Sequence, residues 1–150
     1  MWDGVKEMGK LLLLNGPNLN RLGKREPDLY GNETLQDIEN KVRDLIEPYQ
    51  VYLDAKQSNH EGELIDWIHE AEGKYHGIIF NPGAYTHTSI ALRDAISSIT
   101  VPVIEVHISN VHKRESFRHT SMLAPVCSGQ IVGLGTKGYQ LAAMYFLENN

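Results

Sequence analysis

An α/β architecture built on one parallel sheet is what this 150-residue sequence predicts, and three observations predict it. Short apolar runs alternate with stretches of helical periodicity along the whole chain. The runs are bounded by Gly, Pro and Asn, as strands buried on both faces are. Five such units fit into the length, and strands that alternate with helices pack as a parallel sheet between helical layers. The expected arrangement is a flavodoxin-like three-layer sandwich, a five-stranded parallel sheet of order 2-1-3-4-5. We expect one domain over residues 1–150, with residues 1–9 as an N-terminal extension.

Strand one is Lys10–Asn15, with Leu11–Leu14 as its apolar run. Thr34 then caps a helix with Asp37 three residues on, a variant of the capping box. Leu35, Ile38, Val42, Leu45 and Ile46 supply its apolar stripe and Pro48 ends it. Val51–Gln57 is strand two. A helix over 62–72 turns Leu64, Ile65, Ile68 and Ala71 inward. Gly77–Asn81 is a short buried strand, and a helix over 88–98 carries Ile90, Ala91, Ala95 and Ile96 as its apolar residues. Pro102–His107 and 130–134 are the last strands, and Lys137–Glu148 closes the chain as a helix. No repeat, low-complexity run or interdomain linker interrupts this order.

Composition excludes several classes. A formal net charge of -5 argues against general nucleic-acid binding, which favours a basic footprint. The cations cluster instead at Arg21–Arg25 and Lys113–Arg118. One cysteine, Cys127, forms no intrachain disulfide, which suits a reducing cytoplasm. Residues 1–10 carry Asp3 and Glu7 and no apolar signal-peptide core. No apolar run approaches the roughly 20 residues that span a bilayer. A cytoplasmic protein without membrane or nucleic-acid partners is expected.

Between strand one and the first helix lie residues 16–33, where about 2–6 residues are usual. Loops of this length in compact domains are commonly working loops. This one holds Arg21, Lys24, Arg25, Asn18, Asn20 and Tyr30, with Gly23 and Gly31 bracketing its charged part. In an open parallel sheet, ligands bind beyond the carboxyl ends of the strands, at the switch in strand order. Strand one ends in Asn15-Gly-Pro-Asn18, strand three in Asn81-Pro-Gly-Ala-Tyr-Thr-His87, and strand four in Glu105-Val-His-Ile-Ser-Asn110. All three polar clusters open onto one rim.

Tyr30 either packs its ring or acts as a base. A tyrosine with a pKa near ~10 is barely ionised at neutrality, and neighbouring guanidinium groups at Arg25 and Arg21 would favour the phenolate by ~1–3 units. His107 is either a satisfied rim histidine or an acid, with Glu105 on the same strand face to orient it. A tyrosinate base and a histidine acid among amide donors suit elimination or isomerisation through an enolate, with Asn18 near the oxyanion. Arg118 and Arg114 fit a substrate carboxylate, although Arg114 reads equally as a surface charge. Gly133-Leu-Gly-Thr-Lys-Gly138 matches a dinucleotide fingerprint, but the chain lacks the acidic residue about 20 positions on, and a tight turn with close helix packing is expected. His107, His112 and His119 are spaced unlike zinc ligands, so no metal is expected. Cys127 is expected to be a small buried residue. The competing reading is a flavodoxin-like small-ligand or nucleotide-binding module without catalysis.

From Lys10 onward the sequence resembles the type II 3-dehydroquinate dehydratases. The resemblance rests on 14–19 (Leu-Asn-Gly-Pro-Asn-Leu), 25–31 (Arg-Glu-Pro-x-x-Tyr-Gly), 57–62, 81–89, Arg93-Asp94, 105–112 and Phe117-Arg118. It implies a hydro-lyase of the shikimate pathway, converting 3-dehydroquinate to 3-dehydroshikimate by anti elimination through an enolate, with no cofactor. By position it implies that Tyr30 removes the C2 proton, that Arg25 depresses the tyrosine pKa and stabilises the transition state, and that Asn18 holds a water on the enolate oxygen. It likewise implies that His107, supported by Glu105, protonates the departing C1 hydroxyl. Asn81, His87, Ile108, Ser109 and Arg118 are to grip substrate hydroxyls and carboxylate. The implied assembly is a dodecamer of four trimers in which Asp94 reaches a neighbouring subunit's site. Read without the resemblance, Asp94 is a helix-surface ion pair with Arg93.

Overall fold

The computed structural model describes residues 9–24, 28 and 31–148. Arg25, Tyr30 and all of the N-terminal extension but Gly9 lie outside the described residues. Gly9 itself already belongs to the first strand.

Five strands, β1 (Gly9–Asn15), β2 (Val51–Gln57), β3 (Gly77–Asn81), β4 (Val103–His107) and β5 (Gly129–Val132), form one parallel sheet of order β2-β1-β3-β4-β5. Among the described residues, four helices of eight residues or more connect or close them: α1 (Leu35–Ile46), α2 (Glu61–Glu70), α3 (Ile90–Ser97) and α4 (Lys137–Glu148). This is the flavodoxin-like sandwich that the alternating pattern predicts. The run Leu11–Leu14 shows how the layers are divided. Successive strand side chains point to opposite faces, so Leu11 and Leu13 pack with Ile38, Val42 and Ile46 of α1 and with Tyr139, Ala142 and Phe146 of α4. Leu12 and Leu14 pack with Leu64 and Ile68 of α2 and with Leu92, Ala95 and Ile96 of α3. Every side chain of that run is buried, which is why it reads as continuously apolar.

Local chemistry sets the helix ends. Thr34 Oγ1 accepts the Asp37 N–H at 3.1 Å, and the Asp37 carboxylate accepts the Thr34 N–H at 3.0 Å, closing the capping box. Pro48 falls in a 3-10 turn after α1, and Gln50 turns the chain with φ 60°. Ser89 caps α3 by accepting the Leu92 N–H at 2.9 Å.

That cap starts the helix two residues later than the expected 88. Ile90 and Ala91 do not face inward: Ile90 is 60% exposed and Ala91 is exposed, while Leu92, Ala95 and Ile96 form the buried stripe. The helix starts only at Ile90, and its first two residues point away from the sheet. None of the helices among the described residues is long and apolar enough to cross a membrane.

Candidate functional site

The chain leaves β1 toward β2 on one side and enters β3 on the other, so the switch in strand order falls between β1 and β3. Their tips interlock there. Asn15 pairs in register with Asn81, and the Gly16 N–H donates to the Asn81 carbonyl at 2.8 Å. A Cβ on Gly16 would stand 2.5 Å from the Pro82 carbonyl oxygen, and one on Gly83 (φ 60°) 2.9 Å from that of Pro17. The Asn-Gly-Pro and Asn-Pro-Gly sequences thus form a mutual backbone contact that only glycine permits.

Beneath that contact lies a buried hydrogen-bond chain. The Gly83 N–H donates to Asn81 Oδ1 at 3.0 Å, which fixes the amide orientation. Asn81 Nδ2 then donates to Tyr139 Oη at 2.8 Å, and Tyr139 Oη donates to Asn15 Oδ1 at 2.6 Å. Burial pushes the Tyr139 pKa well up, so the phenol stays neutral and keeps its proton for Asn15. Asn15 Nδ2, also buried, finds no acceptor among the described residues. Tyr139 comes from α4, so the closing helix braces two strand tips far from it in sequence.

The tip of β4 supplies the ionisable pair. Residues two apart on a strand share a face, and His107 Nε2 lies 2.5 Å from the Glu105 carboxylate, with both groups buried. Thr86 Oγ1 donates to the same carboxylate, and Ser121 Oγ lies 2.9 Å from both of its oxygens. Burial alone would push the Glu105 pKa up. The His107 ring, Thr86 and Ser121 outweigh that and hold it below the usual carboxylate range. The His87 ring stacks on that of His107 with centroids 6.5 Å apart. His87 Nδ1 donates to the Thr120 carbonyl at 2.9 Å, leaving Nε2 as an acceptor. Burial lowers the His87 pKa, so this ring is neutral at pH 7.

A cavity of about 130 Å³ opens between these tips, lined by Asn18, Asn81, His87, His107, Ile108, Ser109, Arg114 and Arg118 among others. Asn18 sits in the left-handed region (φ 71°), its N–H held by Asn59 Oδ1 at 3.0 Å. Arg114 donates to Ser109 Oγ at 3.3 Å. Arg118 is steered by Glu115 at 2.8 Å and lies over the Phe117 ring, 5.1 Å from its centroid. Neutral amides, two imidazoles and two guanidinium groups in one small cleft suit a hydroxylated carboxylate ligand.

Of the residues expected at the site, seven line this cavity: Asn18, Asn81, His87, His107, Ile108, Ser109 and Arg118. Glu105 stands behind His107. Asp94 is on the exposed face of α3, away from the cavity lining, and Arg93 donates to the Met122 carbonyl at 3.2 Å. Tyr30 and Arg25 are the two expected site residues outside the described residues. Thr86, Ser121 and Tyr139 were not legible as site residues. For Tyr139 one signal exists, a hydroxyl within the otherwise apolar stripe of α4, because a buried phenol needs a partner.

The remaining motifs settle as structure. Gly133 (φ 85°) and Gly135 (φ 63°) form the turn into α4, and a Cβ on Gly138 would press on Val106 and Ile131 at 3.2 and 3.3 Å, so the glycine motif serves a tight turn and close packing. Cys127 is half-buried rather than fully buried as expected, and its desolvation pushes the thiol up to about 12. Among the described residues no group of three or more His, Cys, Asp or Glu side chains could hold a metal ion.

Comparison with known proteins agrees with this geometry. The family model "Dehydroquinase class II" matches residues 9–147. A 3-dehydroquinate dehydratase of Halalkalibacterium halodurans is 63% identical over 141 residues, covering 94% of this chain and 97% of that protein. The crystal structure of a type II dehydroquinase from Butyrivibrio crossotus superposes with a TM-score of 0.89 at 50% identity, over 92% of this chain and 97% of that one. A second, from Propionibacterium acnes, gives 0.89 at 40% identity over 93% and 96%. With the matched region running from the first residue of β1 to within one residue of the end of α4, the chain belongs to the class II dehydroquinase family.

Proposed function

We propose that this protein is a 3-dehydroquinate dehydratase, removing water from 3-dehydroquinate to give 3-dehydroshikimate in the shikimate pathway. The observation that carries the reading is the buried His107–Glu105 pair at the mouth of a cleft lined by amides and arginines, in a chain of this family.

In the proposed mechanism, the Tyr30 phenolate takes the proton from C2, next to the ketone, with Arg25 favouring the phenolate. The C–H electrons pass into an enolate, whose oxygen is stabilised through a water held by Asn18. The enolate collapses by expelling the C1 hydroxyl, which takes a proton from His107 and leaves as water. Glu105 supports the imidazolium that donates that proton. Asn81, His87, Ser109 and the Ile108 backbone hold the ring hydroxyls, and Arg118 holds the carboxylate. Between turnovers one proton returns from Tyr30 to His107 through solvent.

The protein is further proposed to act as a homo-oligomer, a dodecamer of four trimers, with Asp94 completing a neighbouring subunit's site. An exposed acidic residue outside the cavity of its own chain supports this reading.

Purified protein incubated with 3-dehydroquinate and no additive is expected to produce the conjugated enone, followed by its near-ultraviolet absorbance. Tyr30→Phe removes the base and is expected to lower kcat by at least about 10²-fold with the circular dichroism spectrum unchanged. Absence of product from the unsubstituted protein overturns the function. Near-normal turnover by Tyr30→Phe overturns the assignment of the base.

A further inference from the structure

Glu105 is wholly buried, and its partners are unusual: one imidazole and two hydroxyls, from three separate segments. A serine hydroxyl has one proton and two lone pairs. Ser121 Oγ accepts the Leu123 N–H at 3.1 Å and the Ala124 N–H at 2.9 Å, so both lone pairs are taken. Its proton must go outward, to Glu105 or to Thr86 Oγ1, which is also 2.9 Å away. Thr86 therefore finds no acceptor on Ser121, and its own proton goes to Glu105.

Thr86 thus directs its proton to the carboxylate, and Ser121 directs its own either to the carboxylate or to the Thr86 oxygen, so neither hydroxyl can accept from Glu105 along these contacts. A protonated Glu105 would need an acceptor for its proton, and with these hydroxyls so oriented only His107 Nε2 offers one. The other groups that face this pair are His87 and Arg118 from the cavity side, His112 and His119 from the adjoining cleft, and the neutral Cys127 thiol.

We propose that Ser121 and Thr86 are positioning residues which keep Glu105 an acceptor-only carboxylate, so that the shared proton resides on His107 Nε2 and the imidazolium donates the proton of its other nitrogen, Nδ1, to the leaving hydroxyl. This deepens the dehydratase reading and rests on it for its catalytic consequence. The backbone gives Ser121 its direction: the two N–H groups belong to the turn at 122–124, so the hydroxyl is aimed before any ligand arrives.

The test follows the Glu105 carboxyl carbon by ¹³C NMR across pH, with Glu105→Gln assigning the resonance, in the unsubstituted protein and in Ser121→Ala, Thr86→Val and Thr86→Ser. Loss of a donor to an ionised group is expected to raise the Glu105 midpoint by about one pH unit or more in Ser121→Ala and in Thr86→Val. Over the same variants kcat is expected to fall about tenfold while KM stays within about twofold. Thr86→Ser, which keeps the hydroxyl, is expected to restore both.

A Glu105 midpoint unchanged in folded Ser121→Ala overturns the proposal, and so does a raised midpoint with normal kcat. Should Thr86→Val fail to fold, Ser121→Ala alone decides. If the unsubstituted protein does not convert 3-dehydroquinate, the functional reading fails, whereas the NMR midpoints still decide what the hydroxyls do to Glu105.

Discussion

Tyr139 shows how much a single buried hydroxyl can control at this site. The Gly83 N–H fixes which end of the Asn81 amide faces Tyr139, so the phenol must accept from Asn81 and donate to Asn15. Tyr139→Phe keeps the ring and leaves two buried amide atoms without a partner. Its expected cost is about 1–3 kcal/mol of stability, measured by urea unfolding. Without the phenol, Asn81 keeps only the Gly83 N–H as an anchor and is held less firmly, so KM for 3-dehydroquinate is expected to rise by more than kcat falls. A variant with normal stability and normal KM would show that the backbone alone sets Asn81.

At the scale of elements, the strand tips carry the most demanding contact. The Gly16–Pro82 and Gly83–Pro17 approaches are backbone to backbone, so no flexible side chain can yield. Gly16→Ala must therefore separate β1 from β3 at the point where Asn15, Asn18 and Asn81 are set. The expected result is loss of about 1–3 kcal/mol together with a large fall in kcat/KM. Gly62→Ala, where a Cβ would meet nothing within 4 Å, is the control and is expected to be near neutral. Here the sequence was informative in an instructive way. The Asn-Gly-Pro and Asn-Pro-Gly tips stood out as polar rims, but their mutual fit depends on a spatial approach that no local pattern encodes. Elements defined by local chemistry were readable: the Thr34–Asp37 box, the bounds of β2 and β3, and the whole of α4. The inward face of α3 was not. Over eight residues, Ile90 and Ala91 compete with Leu92, Ala95 and Ile96 for the apolar stripe, and only the Ser89 cap decides the rotation. Likewise Glu105 and His107 are read from alternation along one strand, while Thr86 and Ser121 reach the pair from segments 19 and 16 residues from Glu105.

For the whole molecule, the exposed face of α3 raises the question of what completes the site. Ile90 and Asp94 are four residues apart and so adjoin on one helix face. The first is 60% exposed, and the second has no place in the cavity of its own chain. In a cyclic assembly with head-to-tail interfaces, such a face meets a different surface of the next copy. The proposal that Asp94 serves its neighbour then predicts complementation between two defective variants. Asp94→Ala retains His107 and Glu105, and His107→Ala retains Asp94; each alone is expected to be strongly impaired. In mixed assemblies, a site whose body comes from the first and whose Asp94 comes from the second is fully constituted. Random equal mixing makes about one site in four of this kind, so co-expressed variants are expected to recover about a quarter of normal turnover. Light scattering on the same samples checks that the variants assemble as the unsubstituted protein does. Mixed assemblies of normal size with no more activity than the separate variants would show that Asp94 acts within its own subunit or not at all, because no arrangement that shares the residue between copies yields that result.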